Sequence, residues 1–356
     1  MAHGVKVNRL IKINNFSFVN LATMINLKQI YFVITRRCNL FCSHCIRSSG
    51  PGITDYLNKD DFRLALEKIY PYAQNAQILI SGGEPTLHKN FVEMCKIASE
   101  LYPEVMVNTN GLRPKYLIQA HEVCQNKLKV QISIDGDEKF HDRIRGKGTF
   151  QRSLKAVEEL YRHGIDVVIA STVGEQNVSS MYALDTILSS VNYRLWTIKK
   201  EVVYGRAAFT QSKLDTNAWN RFVKDVKINF KNQDRLSIAT MFDWSNMSRV
   251  MQRNIKPNVM NCGTGNSKLY INPDLTVFPC GCLEQIYLGD LSKDSVETVI
   301  ELMQEKIQNI IDNPICKLCP VNAICNGGCP GSSYNYFGQF GKGDPRCSAI
   351  HDLANK

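Results

Sequence analysis

Ile34-Thr35-Arg36-Arg37-Cys38-Asn39-Leu40-Phe41-Cys42-Ser43-His44-Cys45 follows an apolar, β-prone stretch and sets three cysteines at C-x3-C-x2-C spacing. Three thiolates in one short loop can hold three corners of a cubic iron–sulfur cluster, whereas an electron-transfer cluster normally takes four. A loop that supplies three leaves one iron open to bind another molecule and act on it. The placement directly after a strand matters too, because α/β barrels carry their chemistry at C-terminal strand ends.

Working outward, residues 28–200 alternate short β-rich runs with amphipathic helical stretches. Strands are expected at 29–35, 77–81, 104–109, 129–134, 165–172 and 195–203, with helices at 59–70, 89–102, 114–126, 149–163 and 178–190. In the 149–163 stretch Phe150, Leu154, Val157, Leu160 and Tyr161 recur at helical spacing, and Gly164 follows as a stop signal. Such alternation implies a parallel sheet with right-handed crossovers. Six units make an α/β fold of the partial (β/α)6 TIM-type barrel kind. Ser81-Gly82-Gly83-Glu84-Pro85 then follows the second strand, Thr109-Asn110-Gly111 the third and Ser133-Ile134-Asp135-Gly136 the fourth, so all meet the three-cysteine loop on one rim.

Each rim motif has a chemistry. Gly82 and Gly83 let a ligand approach the backbone, and Glu84 can accept from a cationic amine; the plain alternative for Gly-Gly-Glu-Pro is an ordinary βα turn. Asn110, Ser133 and Asp135 can hydrogen-bond ribose hydroxyls or cap strand ends. Arg145, with Arg143 as competitor, can bind a carboxylate.

The chain of 356 residues is 44% hydrophobic and carries 43 basic against 33 acidic side chains. It contains no apolar run of the ~18 residues that membrane spanning needs. Its first 27 residues hold neither a long apolar core nor a small-residue cleavage site, so a cytoplasmic protein with a short N-terminal extension (1–27) is expected. The net charge of +10 suits an acidic partner or a solvated surface, and nucleic acid is not specifically indicated. Thirteen cysteines in tight clusters point to metal rather than disulfides. Cys95 and Cys124 stand alone and read as core residues.

The three-cysteine loop, the Gly-Gly-Glu-Pro turn and the strand-end motifs over residues 28–205 resemble the radical S-adenosylmethionine (SAM) enzymes. The resemblance implies one [4Fe-4S] cluster on Cys38, Cys42 and Cys45, with SAM chelating its open iron. Gly82, Gly83, Glu84 and Pro85 would hold the methionine ammonium, Ser133 and Arg145 its carboxylate, and Asn110 or Asp135 the ribose. Reductive cleavage would then give a 5′-deoxyadenosyl radical that takes hydrogen from substrate. His44 stands where that family usually has an aromatic residue.

After a polar bridge (206–260), expected to be helical with loops, comes a cysteine-rich segment (261–350) whose one strong helix is expected at about 292–312. Any four of its cysteines can hold zinc. The seven-cysteine pattern Cys262, Cys280, Cys316, Cys319, Cys325, Cys329 and Cys347 resembles the SPASM extension, an irregular iron–sulfur domain. That resemblance implies two auxiliary clusters, one on Cys316, Cys319, Cys325 and Cys347, the other on Cys262, Cys280 and Cys329. Cys282 either completes the second set or leaves its fourth position open to a substrate atom. Leu275 replaces a glycine usual in the pattern, and Asp274-Leu275 is expected to make the turn regardless.

SPASM relatives most often modify ribosomally made peptides, which implies a precursor-peptide substrate and a crosslink, either carbon–carbon or thioether. An electron donor such as flavodoxin or ferredoxin is implied, with leader binding falling to the barrel or to a separate protein. A small-molecule oxidoreductase of tetrapyrrole or cofactor synthesis is the runner-up. A sulfatase-type formylglycine maturase ranks lower, because Gly281 occupies the position where those enzymes carry a basic Asp. Glu284, Tyr204 and Arg206 fall near rim positions without marking a general base.

Overall fold

Every second residue of the central strands is fully buried, and that alternation sets the architecture. The computed structural model describes residues 26–210, 214–238, 262–311, 314–319, 322–325 and 327–347. Most of the expected N-terminal extension, residues 211–213 and 239–260 of the bridge, and residue 261 lie outside the described residues. β1 (Gln29–Val33), β2 (Gln77–Ser81), β3 (Glu104–Thr109), β4 (Leu128–Ser133), β5 (Asp166–Val173) and β6 (Leu195–Lys200) pair in sequence order, all parallel. Between them run α1 (Lys59–Ala73), α2 (Phe91–Leu101), α3 (Pro114–Val123), α4 (Glu138–Arg145), α5 (Thr149–Arg162) and α6 (Met181–Leu188). The expected (β/α)6 partial barrel is therefore present. Of these helices only α4 was not expected, and its start is fixed by Asp137, whose side chain accepts from the Phe140 N–H at 3.1 Å.

Register places Ile30, Ile78, Val105 and Leu128 side by side, with Phe32, Ile80 and Val107 one pleat further on. This face is buried against the helices; the Phe62 ring of α1 meets Phe32 edge-on at 4.8 Å. The opposite face lines the barrel interior and is half-buried: Tyr31, Met106, Asn108, Gln131. Toward the N-terminal strand ends, Gln29, Gln77, Glu104 and Lys129 form a continuous polar belt across four strands.

Both edges go beyond expectation. β7 (Leu236–Ile238) adds in parallel to β6, so the bridge contributes a strand after its helix α7 (Thr216–Asn229). β8 (Lys268–Ile271) adds in parallel to β1, followed by antiparallel β9 (Thr276–Phe278) and β10 (Gly289–Asp290), giving ten strands in one sheet. The cysteine-rich segment is thus less irregular than expected. Its strands of two to four residues are too short to print a period-2 pattern. The expected helix is α8 (Val296–Ile311); α9 (Pro314–Lys317), α10 (Asn322–Cys325) and α11 (Pro330–Phe337) complete the segment. Leu275 makes the β8–β9 turn with φ of 64°, a left-handed conformation that glycine adopts more cheaply. Its side chain is buried in the core, which offsets that strain.

Replacing Ile80 by Ala removes a fully buried side chain at the centre of the helix-facing layer. The expected cost is about 2–5 kcal/mol, read as a lowered denaturation midpoint with unchanged slope.

Candidate functional site

The three-cysteine loop leaves β1 and is shaped mostly through its backbone. The Cys38 N–H donates to the Gly50 carbonyl at 3.1 Å, and the Cys45 N–H to Cys42 O at 3.3 Å. Cys38 and Cys42 are buried, and Cys45 is half-buried. From the far side of the barrel a 3₁₀ turn after β6 (Gly205–Phe209) presses onto the loop. Arg206 donates from Nε to the Cys42 carbonyl (2.8 Å) and from Nη2 to the Ser49 carbonyl (2.7 Å), and its backbone N–H reaches Cys45 O (3.0 Å). Its guanidinium also lies 3.8 Å from the centroid of the exposed Phe41 ring. Gly205 has φ of +60°, and a Cβ there would lie 2.4 Å from Ile46 O.

The Gly-Gly-Glu-Pro turn stands beside this loop for a reason internal to the chain. A Cβ on Gly82 would lie 2.5 Å from Thr35 O, and one on Gly83 would lie 2.4 Å from Arg37 O. The close approach is therefore made by the strand leaving β1, which receives the Gly83 and Glu84 N–H groups at 2.8 and 2.9 Å. Glu84 is buried, and its carboxylate accepts from Thr86 N (3.1 Å), Thr86 Oγ1 (2.6 Å), Thr109 Oγ1 (2.8 Å) and Asn110 N (2.8 Å). Burial raises its pKa despite these donors. It clips the second strand end to the third and starts the 3₁₀ turn that Pro85 opens. Asn110 continues the chain of contacts, donating from Nδ2 to Asn39 Oδ1 of the cysteine loop at 2.9 Å.

Asp135 and Arg145, expected at separate points of a ligand, are partnered with each other. Arg145 Nε donates to Asp135 Oδ2 at 2.5 Å, and His44 Nε2 lies 3.2 Å from the same oxygen. The other oxygen accepts the Thr172 N–H at 2.7 Å. Burial alone would raise the Asp135 carboxyl, but Arg145 and then His44 hold it well below the usual carboxylate range. His44 Nδ1 is buried without a hydrogen bond among the described residues. The ring lines a cleft of about 290 Å³ with Ser43, Ile144, Thr172, Gly174 and Glu201. Ser133 is half-buried at the end of β4, close to this cluster in sequence.

The eight C-terminal cysteines sort into two groups of four by which thiols act on which. Cys325 is influenced by Cys316, Cys347 and Cys319, all of which raise its pKa after burial has done so. Cys329 is influenced by Cys262 and Cys280, and Cys282 by Cys280 and Cys329. Cys282 therefore stands with the Cys262, Cys280 and Cys329 group. Its thiol hydrogen-bonds Cys280, making Cys280 the more acidic of the pair, while Cys282 rises. Arg47, which sequence reasoning did not single out, joins this group to the rim. Its Nε donates to Tyr270 Oη at 2.5 Å and its Nη1 to the Gly82 carbonyl at 3.3 Å. The Tyr270 ring also fills the space over Gly281, where a Cβ would come within 2.7 Å of it. Tyr204 hydrogen-bonds Glu284, and burial first raises its pKa to about 12. Cys95 and Cys124 are fully buried, as their isolation suggested.

Residues 32–184 match the family model described as the radical SAM superfamily. The chain carries a radical SAM domain. SkfB, the sporulation killing factor maturation protein of Bacillus subtilis, is 30% identical over 274 residues, covering 75% of this chain and 63% of SkfB. AlbA, the antilisterial bacteriocin subtilosin biosynthesis protein of the same organism, is 26% identical over 311 residues, covering 84% of this chain and 66% of AlbA. The chain thus spans just under two thirds of the length of these relatives. Streptococcus suis SuiB, solved with precursor peptide SuiA, shares the fold with a TM-score of 0.70 at 16% identity, over 92% of this chain and 76% of SuiB.

A radical SAM domain implies a [4Fe-4S] cluster and SAM, and the rim residues fit that demand. None of the described cysteines forms a disulfide. Burial pushes the Cys38 thiol up to about 12 and raises Cys42 as well. Buried thiols of this kind become thiolates only when a cation such as iron joins them. Among the described residues no three His, Cys, Asp or Glu side chains converge closely enough to hold a single ion. Ligands to three different irons of one cluster stand further apart than that.

Two outcomes follow from this geometry. Arg206→Ala deletes the fork onto Cys42 O and Ser49 O, and the reconstituted protein is expected to lose iron about tenfold faster on desalting. Lysine, a point donor, restores little of this, because it cannot fork. His141 is the second case. Burial, then Arg145, lowers its pKa to about 4 from 6.5, while its Nδ1 accepts the Asp135 N–H at 3.2 Å. The unfolded chain binds this proton first, so stability is full above pH ~6.5 and falls as the pH drops toward ~4. His141→Asn, which keeps an acceptor near Nδ1, is expected to flatten that slope in urea titrations run from pH 4 to 7.

Proposed function

We propose that this chain is a radical SAM maturase that crosslinks a ribosomally made precursor peptide. The observation that carries it is the three-cysteine loop held at the β1 end by Arg206 and set against the Gly-Gly-Glu-Pro turn. The similarity to SkfB and AlbA, whose names describe killing-factor maturation and bacteriocin biosynthesis, supports a peptide substrate. When bound, SAM and its cluster supply a one-electron reductive cleavage whose product takes hydrogen from carbon.

In this reading Cys38, Cys42 and Cys45 hold the rim cluster. The Gly82–Pro85 turn presents backbone carbonyls toward the methionine ammonium, with Glu84 bracing the turn from behind. Arg145, beside Cys42, orients an anionic group, and Ser133 lies close by. Asp135 keeps Arg145 and His44 in place, and Asn110 tethers the cysteine loop, rather than either gripping a ribose. Cys316, Cys319, Cys325 and Cys347 take one auxiliary cluster, and Cys262, Cys280, Cys282 and Cys329 the other. The buried walls of the rim exclude water from the reacting groups. The division into a barrel at 28–205, a bridge at 206–260 and a SPASM segment at 261–350 belongs to the same proposal. So do an external reductant of the flavodoxin or ferredoxin kind and a separate leader-binding protein. A formylglycine mechanism is disfavoured, because Tyr270 leaves no room at Gly281 for an Asp.

The test has two arms. Anaerobic reconstitution with dithionite is expected to yield 5′-deoxyadenosine, and Cys42→Ala to abolish it. Co-expression with a candidate precursor peptide is expected to lower the peptide's intact mass by one pair of hydrogens per crosslink. An unreacted peptide alongside active SAM cleavage would count against the peptide assignment and in favour of a small-molecule substrate.

A further inference from the structure

A second cleft, open to solvent, lies where the end of β6 faces the cysteine-rich segment. Lys200, Val203, Leu214, Ser332, Tyr336 and Arg346 line it. Lys200 is the last residue of β6, and its ammonium is buried without a hydrogen bond among the described residues. A buried charge without a partner is costly and persists only where something compensates it. Burial, then Arg346, lowers its pKa to about 8.

Three carboxylates lie nearby, and two are committed elsewhere. Asp344 accepts from Arg346 with both oxygens, at 2.8 and 2.6 Å, and from the Cys329 N–H at 2.9 Å. Asp215 caps α7 through the Ala218 N–H at 2.8 Å. Glu201 also lines the cleft, and its carboxyl reaches toward Gly174, where a Cβ would lie 2.3 Å from its Oε2. The cleft therefore holds one ammonium with no hydrogen-bond partner among the described residues, one guanidinium that is already paired, and Glu201. Around them, Val202, Val203, Leu214 and Pro345 supply apolar wall.

We propose that this cleft binds a carboxylate of the peptide substrate, an Asp or Glu side chain, with Lys200 as its charge partner and Arg346 adding to the field. The proposal rests on the peptide reading given above. The charge selects an anion, and the apolar wall selects one carried on methylenes.

The test uses full-length, cluster-loaded protein under anaerobic conditions and saturation-transfer NMR. The probes are acetyl-Gly-Glu-Gly-amide, its Gln counterpart, and acetyl-triglycine with a free C-terminus. Wild type is expected to bind the Glu peptide at least about fivefold more tightly than the Gln peptide, as one charge-assisted hydrogen bond allows. Lys200→Met is expected to erase that preference without lowering the melting temperature, because it removes an unpaired buried charge. Equal binding of the Glu and Gln peptides by wild type would overturn the proposal. Preference for the free C-terminus would replace the side chain by a chain end and overturn it as stated. Displacement of the Glu peptide by SAM would assign the cleft to the cofactor's carboxylate and overturn it too. Binding is read without turnover. A protein that cleaves no SAM but keeps the Glu preference fails the main reading alone, and one that turns over without the preference fails this inference alone.

Discussion

The loop that carries the rim cysteines has no regular secondary structure, so its shape has to be imposed from outside through its own peptide groups. Arg206 does this with a forked donor on two carbonyls, a task that a planar guanidinium performs and an ammonium does not. Gly205 makes the approach possible by omitting a side chain where Ile46 O and Cys45 O press in. On the opposite flank, Gly82 and Gly83 allow the strand leaving β1 to lie against the next strand end. These contacts act on backbone, and the side chains of Asn39 and Phe41 add a hydrogen bond from Asn110 and a stack under Arg206.

Electrostatics at the rim follow from one buried carboxylate. Asp135 carries the charge that lets Arg145 and His44 be buried beside Cys42. Burial penalises the Arg145 cation, and Asp135 more than restores it, holding its pKa above the ordinary value. Such pairs add little net stability, but they fix which way a side chain faces. Here the consequence is a guanidinium and an imidazole kept at set positions next to the thiols.

The barrel was legible because each strand and helix is long enough to show its period, and the cysteine spacing marked the rim without any geometry. Cys282, which residue counting left as one of two options for the second set, acts electrostatically with Cys280 and Cys329. The fine assignments were less accessible. Glu84, Asn110, Asp135 and Arg145 read as ligand contacts because a polar side chain at a strand end has no visible partner in sequence. Each spends hydrogen bonds on residues of other rim segments, as far away as Asn39, Thr109 and Thr172. Arg47 and Lys200 gave no signal at all, since a buried cation looks like a surface one until its neighbours are known. β7 to β10 escaped for the simpler reason of brevity.

The parallel pairing of β8 with β1 bears on how the chain is made. One side of β1 is completed only by residues 268–271. At ordinary translation speeds of about 5–20 residues per second, those about 240 further residues arrive some 12–50 s later. Throughout that interval the strand leading into the cysteine loop presents an open row of amide donors and carbonyl acceptors, the kind of edge that recruits foreign strands. Slow growth or chaperone depletion would then act first on nascent chains that have a nearly finished barrel and no eighth strand.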